Sequence, residues 1–375
     1  MTTRNAELLD LYSDYLIASF GQATATGLAR LVVGVSHDQV TRFLNGDELA
    51  DKDLWKITKP HIRRVQTDDA VLILDDTIEE KLYSDPSELI NWHFDHTVNK
   101  AVKGINLLSA LYLSQNVSLP VALHFVLKTE LKTDPKTGKE SWQSPVSKNE
   151  IARKMIASTL QKQIPFQYVL ADTWFSSAEN MVYIKNTAKK DFVIPLKSNR
   201  NVYLSAPRPK PKKGEPRVKP ALESTKAVKL TSLDFDTNAL QTIWLEEIDF
   251  PLLVLRRVFK NENGSEGVLY LCCSDLSLSA SSLSMLYEKR WKIEEYHKSL
   301  KSNASFAKSP TSRVRSQSNH FFASVVAYVK LEICRCSTRL NHFAQKAQLY
   351  HAAMASALRE MQALKRTVPL VTITA

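Results

Sequence analysis

Apolar residues recur along the chain with two different periods, and the change from one to the other marks out its elements. Over residues 6–65 they return every three or four positions, with Leu8, Leu9, Leu11, Tyr12, Tyr15, Leu16 and Ile17 as the first stripe, which predicts helices. Within that stretch, residues 24–46 have the form of a helix-turn-helix. Leu28, Leu31 and Val32 pattern one helix, Gly34 breaks it, Ser36-His37-Asp38-Gln39 has capping-box spacing for the next, and Gly46 stops it. From residue 70 the pattern becomes continuous. Ala70-Val71-Leu72-Ile73-Leu74 and Phe166-Gln167-Tyr168-Val169-Leu170-Ala171 read as strands buried on both faces. Residues 104–113 and 117–127 add two more strands to the first in a meander, with Pro120 at a strand start or edge. A helix over 148–163 buries Ile151, Met155, Ile156 and Leu160, a shorter one runs from Ala178 through Ile184, and Phe192–Leu196 is a further strand, at an edge because of Pro195. Pro207 to Lys219 turns to Pro and Lys, the composition of an exposed linker. Short strands follow at 228–230, 239–248, 252–259 and 268–273, and helices close the chain at 321–340 and 350–364.

Both buried runs end in acid. The first meets Asp75-Asp76-Thr77 and the second Asp172-Thr173. Charge at the end of a central strand is costly unless it is exposed, paired or bound to metal, and the ligand sites of α/β folds gather there. Neighbouring strand residues face opposite ways, so only one of the two aspartates is expected to share a site with other groups. Taken alone, Asp172 reads as a helix or turn cap. The pair His93 and His96 lacks a third ligand nearby and reads as structural.

Fifty Lys and Arg against 39 Asp and Glu give a formal charge of +11, which suits a polyanionic partner. Cys272, Cys273, Cys334 and Cys336 have neither disulfide nor zinc spacing and read as reduced packing residues of a cytosolic protein. No signal-peptide core and no apolar run of bilayer length are present, so no membrane partner is expected.

The remaining stretch, Tyr287 to Lys301, has no Gly or Pro and reads as one helix, with Ser281 and Ser282 as caps. At about 100° per residue from Tyr287, Arg290 falls near about 300°, Glu294 near about 340° and Lys301 near about 320°. A phenol, a guanidinium, a carboxylate and an ammonium therefore share one stripe. Met285, Leu286, Ile293, Tyr296 and Leu300 form a separate face to bury. The spacing of Tyr287, Arg290, Glu294 and Lys301 resembles the signature of the insertion-sequence-four group of DDE transposases.

That resemblance implies an α/β fold: a ribonuclease H-like mixed sheet with flanking helices, interrupted by a β-rich insertion, with a helical DNA-binding domain before it and a helical region after it. The expected divisions are residues 1–66, 67–200, 201–275, 276–340 and 341–375. It implies catalysis by Asp76, Asp172 and Glu294, with Asp75 as the alternative to Asp76. These carboxylates would hold two Mg²⁺ ions, for which Mn²⁺ can substitute. It implies DNA contacts from Tyr287, Arg290, Trp291, Lys298 and Lys301, joined by Lys197, Arg200 and, in the helix-turn-helix, Arg42. In the insertion, Tyr270 or Trp244 would be candidates to stack on a flipped base. The implied partners are double-stranded DNA (the transposon ends and the target) and a second copy of the chain in a synaptic dimer. The expected location is the cytoplasm, on the nucleoid. The expected activity is metal-dependent cleavage and strand transfer at those ends, by a cut-and-paste route that can pass through a hairpin. The alternatives are a ribonuclease H-superfamily nuclease and a catalytically silent DNA-binding descendant.

Overall fold

The structure is a computed structural model that describes residues 2–95, 99–206, 226–233, 239–260 and 264–367. The linker expected from Pro207 to Lys219, and His96, lie outside the described residues. The chain divides into two compact units, one of Met1–Ile57 with Tyr296–Ala375 and one of Thr58–Glu295.

The chain opens with α1 (Thr3–Ala18), α2 (Ala25–Leu31), α3 (His37–Leu44) and α4 (Asp51–Val65). The expected capping box is present at α3. Ser36 Oγ accepts from the Gln39 N–H at 3.3 Å, and Gln39 Oε1 accepts from the Ser36 N–H at 2.9 Å. Gly34 takes a φ of +85°, a left-handed conformation that favours glycine, and so makes the turn between α2 and α3.

The larger unit is mixed α/β. Its elements are β1 (Val71–Glu80), β2 (Asn91–Asp95), β3 (Lys100–Ser114), β4 (Val117–Phe125), β5 (Glu130–Thr133), β6 (Glu140–Gln143), α5 (Lys148–Gln161), β7 (Tyr168–Ala171), α6 (Ala178–Val182) and β8 (Asp191–Leu196). After them come β9 (Asn201–Val202), β10 (Val228–Lys229), β11 (Leu240–Ile243), β12 (Leu252–Lys260), β13 (Glu266–Cys273) and α7 (Ala280–Glu288). Among the described residues, nine strands form one sheet in the order β11-β12-β13-β8-β7-β1-β3-β2, with β4 also paired to β3. The pairs β1–β7 and β7–β8 are parallel, and the neighbours on either side are antiparallel. Val71 to Leu74, Tyr168 to Ala171 and Phe192 to Leu196 are buried, as continuous apolar runs in the middle of a covered sheet should be.

Three expectations change. First, β8 is central rather than at an edge. Pro195 is tolerated because pairing with β7 stops at Leu170↔Val193, so at Pro195 the strand has a ladder partner only on the β13 side, at Leu271. Second, β1 does not stop at its aspartates but continues to Glu80, held by β3 through Glu80↔Gly104. Third, β11, β12 and β13, read as part of a β-rich insertion, extend the same sheet beyond β8. Pro120 does lie on a strand with a single neighbour, opposite Leu111 at a register shift.

The chain then passes through α8 (Trp291–Asn303) to α9 (Val314–Thr338) and α10 (His342–Thr367). Within the smaller unit α9 packs on α1. Buried polar groups make this packing specific. Asn319 Nδ2 donates to the Leu44 and Asp47 carbonyls at 2.9 and 3.0 Å, and its Oδ1 accepts from the Leu49 N–H at 3.0 Å. His320 Nε2 donates to the Ser305 carbonyl at 3.0 Å, leaving Nδ1 to accept from the Tyr12 hydroxyl at 2.9 Å. Among the described residues no helix is long and apolar enough to cross a membrane.

Candidate active site

The sheet register brings two acids side by side. Pairing of β1 with β7 ends at Leu74↔Ala171, so Asp75 and Asp172 are the next residues on the two strands. Here the chains part: β1 runs on beside β3, while the chain after Ala171 turns. Asp172 Oδ1 accepts from the Trp174 N–H at 2.9 Å, capping the 3-10 turn Thr173–Phe175. Asp172 is therefore a cap and, at the same time, a member of an acidic cluster.

Alternation along β1 gives its two aspartates different partners. Asp75 is buried, and its Oδ2 accepts from Arg290 Nη1 at 3.2 Å. Asp76 Oδ2 accepts from Asn106 Nδ2 and from Lys148 Nζ, both at 2.7 Å. Asp172 interacts electrostatically with both, because it lies past the end of β7 and is confined to neither face of the sheet.

The helix expected over 287–301 is two helices. α7 ends at Glu288 and α8 starts at Trp291. Across the joint the bonds run from residue i to i−3: Lys289 N–H to Leu286 O at 3.2 Å, Arg290 N–H to Tyr287 O at 2.9 Å and Ile293 N–H to Arg290 O at 3.0 Å. The winding tightens without breaking, which needs neither Gly nor Pro. The cap of α7 is Ser279, whose Oγ accepts from the Ser282 N–H at 3.1 Å, instead of Ser281 or Ser282. The joint nevertheless keeps Tyr287, Arg290 and Glu294 together. Arg290 Nη2 donates to Glu294 Oε1 at 3.1 Å, and its guanidinium carbon lies 5.8 Å from the centre of the Tyr287 ring. A carboxylate oxygen of Asp75 and one of Glu294 lie within 4.8 Å of each other.

Burial, followed by repulsion from Asp172, holds the Asp75 carboxyl well above the usual carboxylate range, with Arg290 acting against the rise. Burial and then Asp76 also raise Asp172. The Tyr287 phenol is pushed up to about 12, chiefly by burial. Burial works to lower the pKa of Arg290, but Tyr287, Asp75, Glu294 and Asp172 outweigh it and keep the guanidinium charged. Burial and mutual repulsion thus both work against the charged forms of Asp75 and Asp172.

The other expected residues are dispersed. Trp291 is 64% exposed beside a cavity of about 310 Å³ that Ala70, Leu113, Asn116, Lys289 and Lys292 help to line. Lys197 is exposed just after β8, whereas Arg200 donates to the Ser176 carbonyl at 3.1 Å and meets Glu247 at 3.5 Å. Arg42 is exposed on α3, and Lys298 and Lys301 belong to the smaller unit. Tyr270 is buried in β13, and the backbone of Trp244 bridges to Tyr203. His93 is buried and lowered to about 3, chiefly by burial, so it is a neutral ring. Cys272 and Cys273 are buried, while Cys334 and Cys336 are exposed rather than packed. Sequence reasoning missed Lys148 and Asn106, whose meeting with Asp76 is a long-range contact that no local pattern signals.

The carboxylate oxygens of Asp75, Asp76, Asp172 and Glu294, paired in part with Arg290 and Lys148, are hard donors of the kind that suits a divalent cation. Carboxylates converging beside a parallel strand pair are suited to holding metal against a phosphate ester. The chain belongs to the DDE superfamily endonuclease family, whose sequence profile matches residues 1–247. The match includes both aspartate-bearing strands and ends before the joint that carries Arg290 and Glu294. Family membership gives the chain an endonuclease role, in a superfamily that works with divalent metals. No curated protein matches it. Among solved structures, an endonuclease V from Bacillus subtilis is similar at 8% identity, covering 64% of this chain and 83% of its own, with a TM-score of 0.26. The Drosophila P element transposase strand transfer complex is similar at 10% identity, covering 50% of this chain and 37% of its own, with a TM-score of 0.21.

Proposed function

We propose that the chain is a DDE transposase of the insertion-sequence-four kind, which binds the ends of its own element and carries out strand cleavage and strand transfer on a ribonuclease H-like core. One observation carries the reading: Asp76, Asp172 and Glu294, which with Asp75 lie on three distant segments, all act electrostatically on Asp75, and Arg290 bridges Asp75 to Glu294. The core assignment is supported by the sheet, in which β1 stands between antiparallel β3 and parallel β7, with β8 parallel beyond. We keep the division at residues 66, 200, 275 and 340 as a functional one, in which the helix-turn-helix residue Arg42 contacts DNA.

Asp76, Asp172 and Glu294, with Asp75 at the same site, would hold Mg²⁺ or Mn²⁺. When bound, such ions supply a strong oxygen nucleophile at neutral pH and relieve charge on the leaving oxygen. The protein's own groups do the rest. Arg290 ties Asp75 to Glu294 and so fixes the acid from α8 against the acids from the sheet. A divalent cation here would offset the burial and repulsion that raise Asp75 and Asp172, and because its ligands must be deprotonated its affinity would rise with pH. Tyr287 and Trp291 would line the path of the DNA backbone, and Lys197, Arg200, Lys298 and Lys301 would bind its phosphates. A free 3′-hydroxyl delivered to the same site can attack a phosphorus of the opposite strand or of target DNA, displacing that strand's 3′-oxygen and giving a hairpin in the first case and a joined strand in the second.

The synaptic partner would be a second copy held through α10. Beyond Lys346 this helix is exposed, and Met354, Ala357, Met361 and Leu364 follow the three-four spacing of a helix pair.

The test is to incubate the protein and Glu294→Gln with Mg²⁺ and DNA carrying the repeats that flank its gene. Cleavage by the wild type alone is expected. Equal cleavage by both removes the mechanism, and tight binding without cleavage by the wild type makes the chain a silent DNA-binding protein.

A further inference from the structure

Asp76 is paired with a lysine that cleavage chemistry by itself does not require, and a second lysine lies near that one. Lys148 is the first residue of α5, and its ammonium contacts Asp76 Oδ2 at 2.7 Å while lying 5.7 Å from the centre of the Trp174 ring. Lys128, on the segment after β4, is anchored through its N–H to the Glu88 carbonyl at 2.8 Å, and its ammonium donates to the Trp92 carbonyl at 2.5 Å. Lys128 and Lys148 are close enough to repel each other, and both act on the buried His93 ring. His93 Nε2 is buried with no hydrogen-bond partner. The N-terminus of α5, a helix of 14 residues, adds its partial positive charge.

The Lys128 ammonium meets a carbonyl rather than a carboxylate, so the two neighbouring lysines bring more positive charge than Asp76 alone offsets. The imbalance grows if Asp76 turns its charge to a divalent cation, because that cation and the ammonium compete for the same oxygen. The displaced ammonium then needs another anion within reach of its four-carbon stem. Trp174, 41% exposed, offers a ring face for the stem or for a base attached to that anion.

Resting on the reading above, we propose that Lys148 and Lys128 form a phosphate-gripping subsite on the Asp76 side of the carboxylates, taking a backbone phosphate of the DNA next to the one being cut. Lys148 exchanges Asp76 for that phosphate as the metal enters, and so acts as a positioning residue.

The probe is a labelled end duplex bound to the full-length protein, followed by fluorescence anisotropy across a salt series with Ca²⁺ in place of Mg²⁺ to limit cutting. Each lost phosphate contact lowers the slope of log affinity against log salt by about 0.9. Lys148→Met is expected to lose about that much slope and about three- to tenfold in affinity, Lys128→Met likewise, and Lys148→Arg to restore both. Circular dichroism identifies a variant that fails to fold, in which case Lys148→Gln and the Arg variant carry the comparison. An unchanged slope in folded Lys148→Met, with wild-type cleavage intact, overturns the subsite alone. A wild type that neither binds nor cuts the duplex overturns the transposase reading and the subsite together.

Discussion

Replacing Arg290 with methionine keeps most of the side chain's volume and removes its charge. The arm to Asp75 joins two largely buried groups, 17% and 12% exposed, at 3.2 Å. A charge-assisted bond of that kind contributes about 1.5–3 kcal/mol. The arm to Glu294 reaches a carboxylate that is 38% exposed, so screening limits it to at most about 1 kcal/mol. The expected loss in metal-free protein is about 2–4 kcal/mol, provided Asp75 stays ionised. It need not stay so, and this gives the loss a pH dependence. Arg290 opposes the rise in the Asp75 pKa, so its removal raises that value further. A carboxyl whose folded pKa exceeds its unfolded one binds more protons when folded, so stability falls as pH climbs from the ordinary carboxylate range through the raised value. Lowering the pH lets Asp75 take a proton and relieves the variant. Urea unfolding in EDTA, followed by tryptophan fluorescence at about pH 5 and about pH 8, measures this. A deficit of the same size at both pH values, or none near pH 8, would refute the reasoning.

Asp75→Asn and Asp76→Asn are each expected to raise the Mg²⁺ concentration for half-maximal cleavage by at least about tenfold. Wild-type behaviour in either one would place that residue outside the metal site. Asn319→Ala leaves the Leu49 N–H and the Leu44 and Asp47 carbonyls without their side-chain partner and is expected to destabilise the smaller unit by about 2–4 kcal/mol. Hydrogen exchange at the Leu49 amide reads this out, and unchanged protection would show that water replaces the side chain without loss.

What could be read from the sequence followed local chemistry. The runs at Val71–Leu74 and Tyr168–Ala171 were visible because strands buried on both faces carry no polar positions, and the Ser36–Gln39 capping box was visible because its partners are three residues apart. The pairing of Tyr287, Arg290 and Glu294 survived a misjudged helix because spacings of three and four stay on one side through a tightened turn. What could not be read depended on distant partners. Nothing near Pro195 reveals that β7 stops two residues short of it, and nothing near His320 points to Tyr12. Asp75 and Asp76 could not be told apart by alternation, because the third acid sits beyond the strand end and interacts with both.

The central claim is that the acids of β1, Asp172 and Glu294 share divalent metal. Diffraction from crystals soaked in Mn²⁺, with data at the manganese edge, tests it most directly. The account predicts anomalous density bounded by Asp76, Asp172 and Glu294, which is lost or weakened in Glu294→Gln. Clean maps with no such density, under conditions where the wild type cuts DNA, would contradict it.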